Sequence, residues 1–277
     1  MTRTRAVAGT VVLLAVLAVV LYPLLWMVGT SLKGPREVLN NLGAWPHHVT
    51  WKNFSDGWNG LPRLSFGRFF LNTVVLAVMV VVANAVSCTL AGYAFARLRF
   101  PLRRFWFTLM IGTLLLPSHV LIVPQFVLFR ALHWTNGTLP LVVPKLLATE
   151  AFFVFLVVQF MRGIPPELDE AARIDGCSSF RVFWRVVLPL SRPAMVTIAI
   201  FSFIWTWNDF FSQLVYLSDP RKYTVSLGLR LFLDSGGQSA VGPMFAMSVL
   251  SLLPVFLFFL AFQRLLVEGV TTTGLKG

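Results

Sequence analysis

The sequence predicts an all-α, polytopic membrane protein with about six transmembrane helices, and three observations carry that prediction. Charged residues make up 12% of the 277 residues, about half the share usual in soluble proteins, while 57% is hydrophobic and mean hydropathy is +0.76. Six apolar segments meet or approach the roughly 20 residues a helix needs to cross the hydrocarbon core. Arginine is concentrated in the short connections between them. This composition excludes a disordered tail, a collagen-like fibre and an ordinary cytosolic enzyme, each of which needs polar bulk or a repeat that the chain lacks. The formal charge of +12 would point to nucleic acid in a soluble protein, but basic residues flanking apolar spans mark cytoplasmic loops instead, so no nucleic-acid partner is expected.

The first span covers residues 7–31. Arg3 and Arg5 precede it, yet the apolar run continues past Trp26 without a small-residue cleavage site, so it reads as a retained span rather than a signal peptide. The outer segment that follows, with Pro46-His47-His48-Val49-Thr50-Trp51-Lys52-Asn53-Phe54, is too polar to span and too aromatic for a linker, and is expected to pack on the outer surface. Spans two to six are placed at 69–96, 105–129, 141–161, 195–217 and 244–267. Each must be helical, because a lone strand would leave backbone groups unpaired in lipid at several kcal/mol each. Arg97, Arg99, Arg103 and Arg104 follow span two, and Arg162, Arg173, Arg181, Arg185 and Arg192 follow span four. They place both loops in the cytoplasm, and with Arg3 and Arg5 both termini there as well. Lys33, Arg36, Lys52, Arg63 and Arg68 in the outer loop weaken that signal without reversing it, since long loops translocate largely regardless of charge. Pro23, Pro117, Pro124, Pro144 and Pro254 interrupt the spans and read either as kinks or as hinges of a transport protein. Cys88 in an apolar run and Cys177 in a polar loop lie at different depths, so no disulfide or metal pair is implied.

The most informative segment is the basic loop 162–193. Pro165-Pro166 suits a helix start, where a missing N–H costs nothing. Leu168, Ala171, Ala172 and Asp175 then share one face, Asp169 and Arg173 form an i,i+4 pair on another, and Gly176 can take the positive φ of a helix stop. After a cap at Ser178-Ser179, a second amphipathic piece brings Phe180, Phe183, Trp184 and Val187 together until Leu188-Pro189 breaks it. A helix face with small side chains such as Ala171 and Ala172 can sit deep in a groove of another protein. The other reading is an interfacial helix against lipid headgroups.

Glu170-Ala171-Ala172, with Gly176 four residues on and Val186-Val187-Leu188-Pro189 beyond, resembles the EAA loop of permease subunits in binding-protein-dependent ABC importers; Val186 stands where the family pattern has Ile. Asn72-Thr73, Gly92-Tyr93-Ala94-Phe95-Ala96-Arg97 with Phe100-Pro101, Trp207-Asn208-Asp209 and the end from Gln263-Arg264 to Gly277 resemble its carbohydrate branch, typified by the six-span inner permease of the maltose system. The resemblance covers nearly the whole chain. It implies a single transmembrane domain, 1–277, in a bacterial cytoplasmic membrane, with 162–193 as the coupling loop. Glu170, Ala171, Ala172, Asp175 and Gly176 would then dock in a cleft of a cytoplasmic ATPase dimer that binds ATP and Mg, beside a second permease subunit and an extracytoplasmic solute-binding protein. The family also offers the tail from Thr273 to Gly277 a place between the ATPase subunits, its other reading being a frayed end. No G-x-x-x-x-G-K-[ST] run is present, so this chain is not expected to hydrolyse ATP, and neither a catalytic nor a metal site is expected.

A substrate pathway is expected at span five. Asp209 in an apolar helix would cost about 2.5–3.5 kcal/mol facing lipid, so it should face protein or water. Asn208 and Gln213 join it among Trp205, Trp207, Phe210 and Phe211. Aromatic faces with amide and carboxylate partners suit a sugar, though helix packing or gating explains the same residues. Lys145 and Glu150 are further embedded charges, paired with other groups or snorkelling to headgroups. A membrane-embedded hydrolase is disfavoured because His47, His48, His119 and His133 form no H-E-x-x-H pattern. A secondary carrier would have only Asp209 as a strong coupling carboxylate and no use for an Ala-Ala docking helix. An importer of glycerophosphodiesters shares the permease pattern.

Overall fold

The computed structural model describes residues 3–41, 43–59, 64–235 and 240–274, and its regular structure is helical throughout, apart from a single bridge residue at Leu64. Helix α1 (Arg3–Ser31) is apolar on every side, and Val11, Leu13 and Val19 are all more than half exposed, as suits a helix whose surface meets lipid or another subunit. Helices α2 (Pro35–Asn40) and α3 (Lys52–Asn59) build the segment between the first two long helices. Lys33, expected as a loop cation, is instead fully buried, its Nζ donating to Asn41 O (2.9 Å) and Gly43 O (2.5 Å). Asn53 Nδ2 donates to Ser31 O (2.8 Å) and Lys33 O (2.7 Å). A buried ammonium is tolerated only when its donors find acceptors, and here the loop's own carbonyls supply them. Arg63 lies outside the described residues.

The long helix α4 (Phe66–Arg97) is followed by α5 (Arg103–Thr113), α6 (Ser118–Ala131), α7 (Leu139–Leu146) and α8 (Ala151–Arg162). The loop contains α9 (Glu167–Ile174), α10 (Ser179–Val182), a π turn over Phe183–Val187 and α11 (Leu188–Leu190). Then come α12 (Arg192–Asn208), α13 (Phe211–Tyr216), a 3-10 turn at Pro220–Lys222, α14 (Val225–Ser235) and α15 (Val241–Gly274). Among the described residues, four segments are long and apolar enough to cross a membrane: Gly9–Ser31, Phe66–Arg97, Leu139–Arg162 and Val241–Gln263. The pair Ser179–Leu190 and Arg192–Asn208, bent by 71°, makes a fifth if it is one crossing.

The third expected span is not one helix. It divides at Pro117 into α5 and α6, because proline lacks an N–H and its ring disfavours helical backbone at Leu116. The fifth expected span is also interrupted: α12 ends at Asn208, Asp209 takes extended backbone (ψ 115), and α13 restarts at Phe211. Asp209 therefore lies at a helix break and not inside a helix, its Oδ1 accepting from Ser212 N (3.1 Å) in the manner of a cap. In contrast, Pro23, Pro124, Pro144 and Pro254 all lie within helices. Leu188-Pro189 does not break its helix either. The helix follows the π turn without interruption to Leu190, and the chain bends two residues after the proline, at Ser191.

By contact the chain divides into two compact units, Met1–Phe70 with Thr224–Pro254, and Leu71–Tyr223 with Val255–Gly277. In the first, Phe66 and Phe69 are fully buried, and the Phe66 ring lies 5.9 Å from that of Phe232. In the second, Tyr93, Phe153, Val157, Met161, Phe183 and Ile198 belong to one apolar core. A Cβ on Gly92 would fall 2.4 Å from Val157 Cγ1, so α4 approaches α8 there as closely as only glycine allows. Tyr93 Oη donates to Ser179 O (3.0 Å), tying the same stretch of α4 to the loop. The motif beginning at Gly92 thus has a packing role.

Candidate functional site

Three helix breaks of the second unit line one cavity of about 740 Å³. Thr113 and His119 flank the α5–α6 break, Lys145, Thr149 and Glu150 the α7–α8 break, and Asn208 and Asp209 the α12–α13 break. Non-helical backbone at membrane depth is tolerated where it is buried in protein or lines a watery cavity, and discontinuous helices build such sites in transporters.

Each break has a local cause. Ala148 takes φ 55 between α7 and α8, which turns the chain so that Lys145 Nζ donates to Glu150 Oε1. Ser87 Oγ on α4 donates to Lys145 O (2.5 Å), satisfying a carbonyl that the break exposes. The two embedded charges therefore pair with each other. Around them, Asn84 Nδ2 donates to Ser202 Oγ (2.9 Å), Tyr216 Oη donates to Gln125 Oε1 (3.1 Å), and Gln213 Nε2 donates to Thr206 O (3.2 Å). Asn208 Nδ2 donates back to Ile204 O (2.8 Å). Trp205 stacks on Phe153 at 5.1 Å while also lining the cavity.

Of the expected pathway residues, Trp205, Asn208, Asp209 and Gln213 line this cavity. Trp207 does not: its buried ring packs 5.4 Å from Phe203, which stacks on Phe258 at 4.2 Å. Two residues on, at helical spacing, Trp205 and Trp207 face opposite ways. Asn84, Gln125, His119 and Tyr216 complete the lining and were not singled out from the sequence; only the tertiary fold brings them to span five.

Loop 162–193, the segment expected to couple, is also ordered. Asp169, the buried residue of α9, pairs with Arg97 at the end of α4 (3.4 Å) and not with Arg173 as expected, because its face of α9 turns inward, where Arg97 is available. Arg97 Nη2 also donates to Met161 O (2.9 Å) and Ile164 O (2.7 Å) beyond the last turn of α8. Leu168, Ala171 and Asp175 are exposed, but Ala172 is half-buried against the core, so the two alanines do not form one outward stripe. Glu170, Ala171, Asp175 and Gly176 are exposed. Ile174, 86% exposed, was missed and enlarges that surface with an apolar side chain. Gly176 has φ 81, with its N–H bonded to Arg173 O (3.0 Å) and that of Cys177 to Ala172 O (2.9 Å), the paired bonds of a glycine-terminated helix. Ser178 Oγ accepts from Arg181 N (3.4 Å) as the cap of α10. Phe183 and Val187 then point inward whereas Phe180 and Trp184 are exposed, so the expected aromatic group is split by the widened turn. The tail expected to act from Thr273 to Gly277 lies outside the described residues from 275 on.

Cys88 and Cys177 are free, and among the described residues no three His, Cys, Asp or Glu side chains cluster as a metal site. The Asn136 side chain is used internally, accepting from Ser218 N (3.3 Å) and Asp219 N (3.0 Å).

Comparison with known proteins places this architecture. The chain is 31% identical over 264 residues to the arabinooligosaccharides transport system permease protein of Halalkalibacterium halodurans, covering 94% of this chain and 92% of that one. It is 30% identical over 266 residues to the galactooligosaccharides transport system permease protein of Bacillus subtilis, covering 96% and 94%. In fold it is similar to a chain in the crystal structure of a bacterial ABC transporter involved in the import of the acidic polysaccharide alginate, with a TM-score of 0.82 at 23% identity, covering 95% and 98%. Residues 88–272 match the model of the binding-protein-dependent transport system inner membrane component, and with this extent of match the chain belongs to that family.

Proposed function

We propose that this permease subunit moves a sugar or oligosaccharide across the bacterial cytoplasmic membrane by alternating access, crossing the membrane six times with both termini in the cytoplasm. The cavity formed at three helix breaks carries the reading: it puts Trp205, Asn208, Asp209 and Gln213 around one polar space within apolar helices. Aromatic faces and hydroxyl-binding groups in such a space suit a sugar, and oligosaccharide permeases are among the similar proteins. In this topology α5 and α6 together make the third crossing, broken at Pro117, and the bent segment ending in α12 makes the fifth.

The chain acts as one transmembrane domain, 1–277, with loop 162–193 as its coupling element. Glu170, Ala171, Asp175 and Gly176 contact a cytoplasmic ATPase dimer that binds ATP and Mg, while Ala172 seats the helix against the core. Hydrolysis belongs to that partner, and members of the family are permease subunits without a catalytic centre. A second permease chain and an extracytoplasmic solute-binding protein complete the importer. Purification of the tagged chain from its native membrane in mild detergent tests this. An ATPase, a second permease and a solute-binding protein are expected in stoichiometric amounts. A chain recovered alone, under conditions that preserve control complexes, would favour an ATP-independent carrier.

A further inference from the structure

We infer that Glu150 makes the cavity selective for neutral glycans, by occupying the position that an anionic substrate would need. The inference rests on the sugar-permease reading above. Lys145 is the only Lys or Arg lining the cavity among the described residues, and its Nζ donates to Glu150 Oε1. Glu150 also occupies the N-cap position of the 12-residue α8, where its side chain makes no hydrogen bond to the helix and is directed instead to Lys145. Unpaired N–H groups at a helix start leave partial positive charge there and attract anions. The ammonium of this wall is therefore already held by a carboxylate from the chain itself, carried by the residue at the N-cap position of α8. The left-handed backbone at Ala148 (φ 55) is what lets side chains five residues apart meet across the break.

The rest of the lining adds no counter-charge. Asp209 contributes a second carboxylate, and His119, the other basic side chain, packs its ring 5.2 Å from Phe211. A uronate, sulfonate or phosphodiester entering the cavity would have to displace Glu150 from Lys145 while approaching two carboxylates. Selectivity gained by placing like charge against the wrong ligand is a general device. A neutral glycan meets none of this, and finds the face of Trp205 and the polar ends of Gln125 and Tyr216.

The test uses the assembled complex of both permease chains and the ATPase dimer in lipid nanodiscs, without the binding protein so that the cavity alone selects. Binding of radiolabelled maltotriose, a neutral trisaccharide, is compared with that of trigalacturonate, its anionic counterpart. The wild type is expected to hold maltotriose at least tenfold more tightly than trigalacturonate. Glu150→Gln uncovers Lys145 and should tighten trigalacturonate at least tenfold, and adding Lys145→Gln should abolish that gain, which a merely structural role for the pair would not do. Equal wild-type affinities, no gain in Glu150→Gln, or a gain that survives the double substitution would each overturn the inference. If Glu150→Gln does not assemble, the wild-type ratio decides. If no form binds either trisaccharide, the sugar-permease reading itself falls, and this inference with it.

Discussion

Arg97 at the end of α4 and Asp169 in α9 form an ion pair at 3.4 Å, with side chains only 9% and 10% exposed. Arg97 Nε and Asp169 Oδ1 have no hydrogen-bond partner among the described residues, so the link is electrostatic, while Nη2 separately holds the carbonyls of Met161 and Ile164. One guanidinium thus joins the long helix α4, the end of α8 and the short helix α9. Movement of α9 by a partner would be passed to α4 through this joint.

Arg97→Met should therefore uncouple the importer. Breaking a buried pair from one side costs about 3 kcal/mol, because the remaining charge is stranded. Uptake per ATP hydrolysed in proteoliposomes is expected to fall severalfold, with thermal unfolding in detergent shifted down; an assembled variant with wild-type coupling would refute the joint.

Gly176 tests the coupling surface through its backbone. A Cβ there meets nothing within 4 Å, so the penalty for Leu is the left-handed conformation itself (φ 81), about 1–2 kcal/mol. Gly176→Leu should leave the chain in the membrane but separate ATP hydrolysis from uptake. Gly176→Asn, which tolerates this conformation, should retain much more coupling, and equal loss in both would point to a different cause.

Asp209 and Trp207 separate pathway from packing. Asp209→Leu removes a cavity carboxylate, and uptake is expected to drop by about tenfold, equivalent to ~1.4 kcal/mol, with insertion preserved. Trp207→Phe alters a ring packed on Phe203 outside the cavity. It should lower the unfolding temperature more than the uptake rate; unchanged uptake in Asp209→Leu would reduce that residue to packing.

Gly92→Ala drives a Cβ to 2.4 Å from Val157 Cγ1 and 2.7 Å from Val157 Cβ. A β-branched side chain cannot swing aside easily, so overpacking of about 1–3 kcal/mol is expected. Combining it with Val157→Ala should recover part of that loss in a double-mutant cycle; simple additivity would show that the two sites do not meet.

Acid should loosen the outer turn around Asp219. Hydrogen bonds from the Arg221 side chain, and then from its backbone N–H, hold the Asp219 carboxyl below its usual value of 3.8. A carboxylate with a lowered folded pKa contributes stability above its ordinary range and loses it as pH falls through the folded value. No change is expected between pH 7 and 5. Below 3.8 the contact should release, as read from the Asp219 carboxyl carbon by NMR titration, and Asp219→Asn should abolish the transition.

Residue type and order alone were enough for the helical class, the membrane setting and the short helix α9 with its glycine stop. Burial in lipid leaves a chain few options, since each backbone group must be paired within its own segment. Local signals also placed the Ser178 cap, because a cap acts on neighbouring atoms, but of five prolines read alike only Pro117 stands at a helix break, a choice that the surrounding packing makes. Partner choice was not local. Asp169 has Arg173 four residues away, yet pairs with Arg97, since a helix that turns one face inward exposes its charges to whatever the fold brings there. Lys145 and Glu150 meet only because Ala148 reverses the chain, and Trp207 leaves the cavity as its ring packs on Phe203 of α12, which in turn stacks on Phe258 of α15. Apolar composition is a property of the chain; which charges face each other, and across what space, is a property of packing, and in this protein packing decides the chemistry of the cavity.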